Sequence, residues 1–184
     1  MYLINTPRLQ LREFCINDAE NIFILNSDPE VTRFTGDKEF KSLAESKNFI
    51  KTYTHYRKYG FGRWNVELKS TSEYLGWCGL KYIPRLKEVD LGYRFMYKHW
   101  GKGYATESSI ACLNYGFCQL GFEKIVGRAM KVNSASINVL KKVGMCFEKS
   151  WVENGNIIEQ YSISNDKWQQ ADPFQHISIH QNQF

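Results

Sequence analysis

The stretch Glu88-Val89-Asp90-Leu91-Gly92-Tyr93-Arg94-Phe95-Met96-Tyr97-Lys98-His99-Trp100-Gly101-Lys102-Gly103-Tyr104-Ala105-Thr106 decides the fold. In its first half Val89, Leu91, Tyr93, Phe95 and Tyr97 fall on every second residue, the period of a half-buried strand over residues 88–97. In its second half Gly101 and Gly103 break that period, and the chain reads as a helix ending near Gly121. A further strand follows at residues 124–131 through Ile125 and Val126. Strand, helix and strand over 88–131 make one β-α-β crossover, which brings a parallel pairing into the sheet.

Upstream, residues 62–69 carry Trp64, Val66 and Leu68 in strict alternation, and residues 74–83 carry Tyr74, Leu75, Trp77 and Leu80. Ser70-Thr71-Ser72 and Pro84-Arg85 supply the turns, so three successive strands form an antiparallel meander. Nearer the start, Leu9-Gln10-Leu11-Arg12-Glu13 reads as a strand, followed by a helix capped by Asn17 or Asp18 and carrying Ile22, Phe23 and Leu25. Phe49, Ile50, Tyr53 and Tyr56 give a helix over 42–59 that Gly60 stops. Downstream, Asn133 or Ser134 caps a helix to Lys142, closed by Gly144; strands at 146–153 and 156–164 join through the turn Asn154-Gly155. The chain is therefore α+β: one domain over residues 1–165 with a single mixed, mostly antiparallel sheet flanked by helices, and a polar tail over 166–184.

The 184 residues carry a net charge of +5 with no run of five like charges, a balance that suits an anionic small ligand and shows no nucleic-acid stripe. Aromatics make up 15%, enough to fill a core, line a cleft, or both. The five cysteines are scattered without a C-x-x-C pair, so neither a zinc site nor a disulfide framework is expected, and Cys78 and Cys146 read as buried structural thiols. No charged-then-apolar leader opens the sequence and no apolar run is long enough to span a bilayer. The expectation is a cytoplasmic chain without metal.

The chemistry gathers at two places. Glycines at a helix start bring the backbone close to a ligand and leave amides free, and the helix dipole adds positive character; Trp100-Gly101-Lys102-Gly103-Tyr104-Ala105-Thr106 thus suits a phosphate or pyrophosphate, with Lys98, Lys102 and His99 as nearby donors. A plain helix cap is the bland alternative. A nucleotide P-loop is excluded because Gly103 follows Lys102, and a dinucleotide fingerprint because Thr106 stands where the third glycine belongs. The second place is Asn133-Ser134-Ala135-Ser136-Ile137-Asn138-Val139-Leu140-Lys141-Lys142-Val143-Gly144, which begins as the parallel strand ends. There Asn133, Ser136 and Asn138 either face the carboxyl edge of the sheet or, in part, only cap the helix.

These segments resemble the GNAT N-acetyltransferases. Val89-Asp90-Leu91-Gly92-Tyr93 through Thr106-Glu107 resembles the family's first motif, and the Asn133–Gly144 stretch its second. Thr6-Pro7-Arg8-Leu9-Gln10-Leu11-Arg12-Glu13-Phe14 and Leu75-Gly76-Trp77-Cys78-Gly79-Leu80 resemble the RimJ/RimL branch, which acetylates N-termini of ribosomal proteins. The resemblance runs in order over residues 6–164. Trp100 departs from the Arg or Gln usual in the family but matches that branch. It implies that the two central strands splay and that acetyl-CoA is the co-substrate. Phe95 and Met96 would pair with its pantetheine, Trp100, Gly101, Lys102, Gly103, Tyr104, Ala105 and Thr106 would hold its pyrophosphate, and Asn133, Asn138 and Lys141 (or Lys142) would complete the cofactor site.

The implied reaction is attack of an amine on a thioester. Ser136 is the candidate donor to the leaving thiolate, Asn133 the group that orients the thioester, and Asp90 either a base or a solvated strand residue. Glu107 reads as a favourable charge at the helix start. Trp64, Trp77 and Trp100 line the cleft or fill the core. The expected acceptor is a protein N-terminal α-amine. A small amine such as a polyamine, amino acid or antibiotic is the alternative, and a non-catalytic acyl-CoA-binding module is a third. Monomer and homodimer both stay open.

Overall fold

The computed structural model describes residues 3–171. Its strands are β1 (Ile4–Asn5), β2 (Leu9–Arg12), β3 (Arg63–Leu68), β4 (Tyr74–Ile83), β5 (Glu88–Phe95), β6 (Lys124–Met130), β7 (Cys146–Glu153) and β8 (Asn156–Ser164). They form one sheet in the order β1-β2-β3-β4-β5-β6-β8-β7. Every neighbouring pair is antiparallel except β5 with β6, as the single crossover requires. The fold is α+β with one mixed sheet, and its strands from β2 onward follow the expected order, while β1 and the helices Pro29–Thr32 and Asn165–Ala171 are additional to it.

The helices are α1 (Ala19–Ser27), α2 (Pro29–Thr32), α3 (Leu43–Thr52), α4 (His55–Tyr59), α5 (Tyr104–Asn114), α6 (Ser134–Lys142) and α7 (Asn165–Ala171). The single helix expected over 42–59 is two, broken at Tyr53 and Thr54. Aromatic and β-branched residues in succession lose rotamer freedom in a helix. The break also frees two phenols for the start of β3: Tyr53 accepts from the Arg63 amide at 2.6 Å, and Tyr56 donates to the Arg63 carbonyl. α5 runs on as a wide turn over Tyr115–Gln119, close to the expected stop at Gly121.

The sheet separates two packed layers. On one face α5 and α6 cover Trp64, Cys78, Leu80, Leu91 and Ile125, all at most 2% exposed. On the other, α1, α2 and α3 close over Tyr74 and Met96 through Ile22, Leu25, Val31 and Phe49. α7 docks through Trp168, whose ring centroid lies 5.8 Å from that of Phe117. Residues 172–184, the larger part of the segment read as a polar tail, lie outside the described residues. No helix among the described residues is long and apolar enough to cross a membrane.

What positions the site is where the parallel pairing stops. β5 and β6 are joined only at Asp90–Val126 and Leu91–Gly127. Beyond Leu91, β5 stays with β4 as far as the Gly76–Phe95 pair, and β6 stays with β8 as far as Met130–Ile158. Each strand follows its outer neighbour and the two diverge. A register shift between Val66 and Glu67 bends the β3–β4 pair near the same end, and such bulges increase local twist.

Candidate active site

The gap between β5 and β6 opens toward the start of α5. Gly101 and Gly103 hold φ of +76° and +79°, left-handed values that a side chain would strain. The first intrahelical bond at this end is from the Glu107 amide to the Gly103 carbonyl at 3.0 Å. The amides of Gly103, Tyr104, Ala105 and Thr106 therefore have no carbonyl partner among the described residues. The turn is braced from outside: Arg8 bonds Glu107 at 2.6 Å, reaches the Lys102 carbonyl at 3.0 Å and lies over the Tyr104 ring at 4.8 Å. Thr6 adds a 2.5 Å bond to Glu107.

β5 offers its edge to the same gap. The Met96 amide donates to the Leu75 carbonyl at 2.9 Å, which fixes the side facing β4. By alternation, the backbone groups of Tyr93 and Phe95 point the other way, where β6 has withdrawn. The Phe95 carbonyl takes the Trp100 indole N–H at 2.8 Å, so its amide is what remains to offer. Across the gap stands α6. Asn133 caps it, its Oδ1 accepting from the Ser136 amide at 3.0 Å. The Tyr93 hydroxyl meets Ser136 twice, donating to its carbonyl at 2.8 Å and lying 2.9 Å from Oγ. Burial pushes the Tyr93 phenol well above its ordinary pKa, so it stays protonated.

The opposite face of the sheet carries an ionic cluster. Asp90 is buried; one carboxylate oxygen pairs with Arg63, the other with Arg128 Nη1 at 3.0 Å. Arg128 also pairs with Glu88 and donates to Gln160 at 2.9 Å. Arg63 lies flat on Gly92: a Cβ there would sit 2.5 Å from its Nη2, so only glycine leaves it room. The Arg63 and Arg94 guanidinium carbons each lie 5.4 Å from the Trp77 ring centroid, and Arg94 is held by Asn26 and Asp37. One cleft of about 690 Å³ joins both faces through the gap, with Gly103–Thr106 and Ser136 on one side and Arg63, Trp77 and Arg94 on the other.

The sequence carries a family signature that fits this architecture: the family model described as an acetyltransferase (GNAT) domain matches residues 8–146. The chain belongs to the GNAT acetyltransferase family. It is 31% identical over 166 residues to the uncharacterized N-acetyltransferase YoaA of Bacillus subtilis, covering 89% of each chain. A GNAT-family acetyltransferase structure from Bacillus anthracis superposes with a TM-score of 0.77 at 25% identity, over 90% of this chain and 99% of that one. Spermidine N-acetyltransferase from Vibrio cholerae, solved with CoA and spermine, shares the fold with a TM-score of 0.75 at 21% identity, over 88% and 98%.

The cleft of this acetyltransferase presents groups of the kind a CoA thioester could use. The unpartnered amides at the start of α5 suit a diphosphate, and the Phe95 amide faces the gap where an extended arm can pair. Of the residues singled out in the sequence, Asp90, Phe95, Trp100, Gly101, Gly103, Tyr104, Ala105, Thr106, Asn133, Ser136 and Asn138 all line the cleft. Met96, Lys102 and Lys141 do not. Met96 is buried under α1, with its amide spent on Leu75 and its carbonyl on His99. Lys102 presents its carbonyl to Arg8. On α6 the cleft is lined by Ala135, Ser136, Asn138, Val139 and Lys142, so of the two candidate lysines Lys142 faces it and Lys141 does not.

Other readings are corrected as well. Asp90 is not a solvated strand residue: it is buried, and both its oxygens are held by guanidinium groups. Glu107 is the anchor of Arg8 rather than a bare dipole partner. His99 is buried at the cleft, its Nε2 3.3 Å from Glu73, and burial lowers its pKa toward the neutral imidazole. Trp77 and Trp100 line the cleft, whereas Trp64 is core. Cys78 is buried beside Cys112, but Cys146, the first residue of the edge strand β7, is exposed. Among the described residues no cluster of His, Cys, Asp and Glu could hold a metal.

Sequence reasoning missed Arg8, Arg63, Tyr93, Arg94 and Arg128. Arg8 makes a direct prediction. An exposed pair with a second hydrogen bond is worth about 1 kcal/mol, so Arg8→Ala should raise KM for acetyl-CoA about fivefold and leave kcat little changed in steady-state kinetics.

Proposed function

We propose that this acetyltransferase acts on an α-amino group, the free N-terminus of a protein or peptide. The observation that carries the reading is the capture of Asp90 by Arg63 and Arg128. The other acid lining the cleft, Glu153, is solvent-exposed at the end of β7. A site without a free, sheltered carboxylate favours an amine that is already partly neutral. An α-amine with pKa near ~7.7–8.0 meets that condition, and a lysine amine near ~10.4 does not. The likeness of Thr6–Phe14 and Leu75–Leu80 to the RimJ/RimL branch points the same way.

Acetyl-CoA, when bound, supplies the acetyl group as a thioester. The chain's residues do the rest. The amides of Gly103–Thr106 hold the diphosphate, and the β5 edge at Phe95 lines the extended arm. A backbone amide of β5 facing the gap stabilises the charge that develops on the carbonyl oxygen. As the N–C bond forms and the C–S bond breaks, the amine's extra proton leaves to solvent. Ser136 Oγ–H donates a hydrogen bond to the departing sulfur, with the Tyr93 hydroxyl 2.9 Å behind it, and the thiolate takes up from solvent the equivalent of the proton that the amine released. Asn133 sets the Ser136 backbone in place through the cap bond.

Thiol release at neutral pH tests the acceptor. From the neutral fractions alone, a peptide with a free N-terminus should react about two orders of magnitude faster in kcat/KM than the same peptide with a blocked N-terminus and one free lysine. Equal or reversed rates would contradict the α-amine assignment.

A further inference from the structure

Resting on the acetyl-transfer reading, the geometry points to the class of acceptor: we infer that it is peptidic and carries a carboxylate two or three residues from the reacting amine. The glycine turn and α6 occupy the α5 face of the gap, so the acceptor enters from the α1 face. That face of the cleft is cationic. Arg63, Lys81, Arg85, Arg94 and Arg128 line it against two carboxylates, Asp90 and Glu153. Asp90 is consumed by Arg63 and Arg128, and cannot also neutralise an incoming cation. Lys81 and Arg85 are exposed and, among the described residues, have neither an ion pair nor a hydrogen bond. A polycation meets repulsion here, and a carboxylate meets two unspent donors.

Register sets the distance. Lys81 pairs with Asp90 across β4 and β5, and Tyr93, at the gap, lies three residues further along β5. At ~3.3 Å per strand residue the Lys81 backbone stands about 10 Å along the sheet from the gap, the reach of an extended peptide over two or three residues. Trp77, with Arg63 and Arg94 each over its ring, lines the path together with Val31, Phe34 and Thr35. The carboxylate can be a tripeptide's own C-terminus or an acidic side chain in a longer chain.

The test compares matched acceptors on the full-length enzyme with acetyl-CoA. One pair is a tripeptide as its acid and as its amide. The other is a carboxyl-blocked tetrapeptide with aspartate or asparagine at its third position; spermidine is the polycation control. The acid member of at least one pair should exceed its neutral partner about tenfold in kcat/KM, a charge-assisted bond's worth of discrimination, and which pair responds identifies the source. Spermidine should be the poorest acceptor. Calorimetric Kd values for the same peptides on the enzyme–CoA complex should follow the same order without any turnover. Lys81→Glu, at an exposed position, should bring the acid-to-neutral ratio below one. Equal rates on acid and neutral partners, or spermidine as the best acceptor, overturn the inference and leave acetyl transfer standing. No thiol release with any acceptor overturns both.

Discussion

Asp90→Asn should lower the unfolding free energy by about 3 kcal/mol, and Asp90→Ala by about 5 kcal/mol, because each leaves the buried Arg63 guanidinium without its counter-charge and takes from Arg128 one of its two carboxylate partners. Asn retains one acceptor oxygen, which places it at the lower end. At roughly 2–4 °C per kcal/mol for a chain of this size, the asparagine variant should melt about 6–12 °C below the parent in thermal unfolding. The same variant separates two roles. A base lost at Asp90 would flatten the low-pH limb of the rate profile at unchanged stability. An anchor lost there should reduce stability and leave the profile's shape intact. Replacing Arg63 as well should recover part of the loss: in Asp90→Asn with Arg63→Met the stranded charge is gone, and the double-mutant cycle should show positive coupling. Arg128 is the poorer choice for that cycle, since its removal would strand Glu88 instead.

That cluster also marks the limit of what the sequence tells. The alternation over 88–97, the glycine turn and the Asn133–Gly144 segment each carry a local period or a turn residue, and these placed the sheet, the crossover and the α5 end of the cleft. Arg63, Arg94 and Arg128 carry no such mark. Whether a strand arginine meets a carboxylate depends on register across strands: Arg63 reaches Gly92 only because Arg63 pairs with Gly79 and Gly79 with Gly92. A faint signal existed in Gly79 and Gly92, two glycines inside strands, where a missing side chain often makes room for a neighbour. Counting does not separate Lys141 from Lys142, because three and four residues beyond Asn138 are both neighbouring positions on a helix, and only the packing of α6 puts Lys142 in the cleft. Met96 was not, because an amide's direction is set by which neighbour the strand keeps, and β5 keeps β4.

Ser136→Ala should lower kcat about a hundredfold, the modest end of what a positioned proton donor supplies, and change KM for acetyl-CoA by less than about threefold. The low end is appropriate because a thiol with pKa near ~8.5 leaves fairly well unaided. The substitution spares the structure. The Ser136 amide still donates to Asn133, and alanine is the best helix former. Tyr93→Phe tests the group behind it. The Tyr93 hydroxyl holds its proton firmly and has two acceptors, the Ser136 carbonyl and Oγ. Its loss should slow turnover about tenfold, since Ser136 keeps its own O–H. If the two hydroxyls act as one relay, the double variant should be no slower than Ser136→Ala alone, because groups that act as a unit are strongly non-additive. Two independent contributions would instead multiply to about a thousandfold. A single-turnover comparison of the parent, the two single variants and the double variant decides between them, and a Ser136→Ala rate equal to the parent's would remove the serine from the reaction altogether.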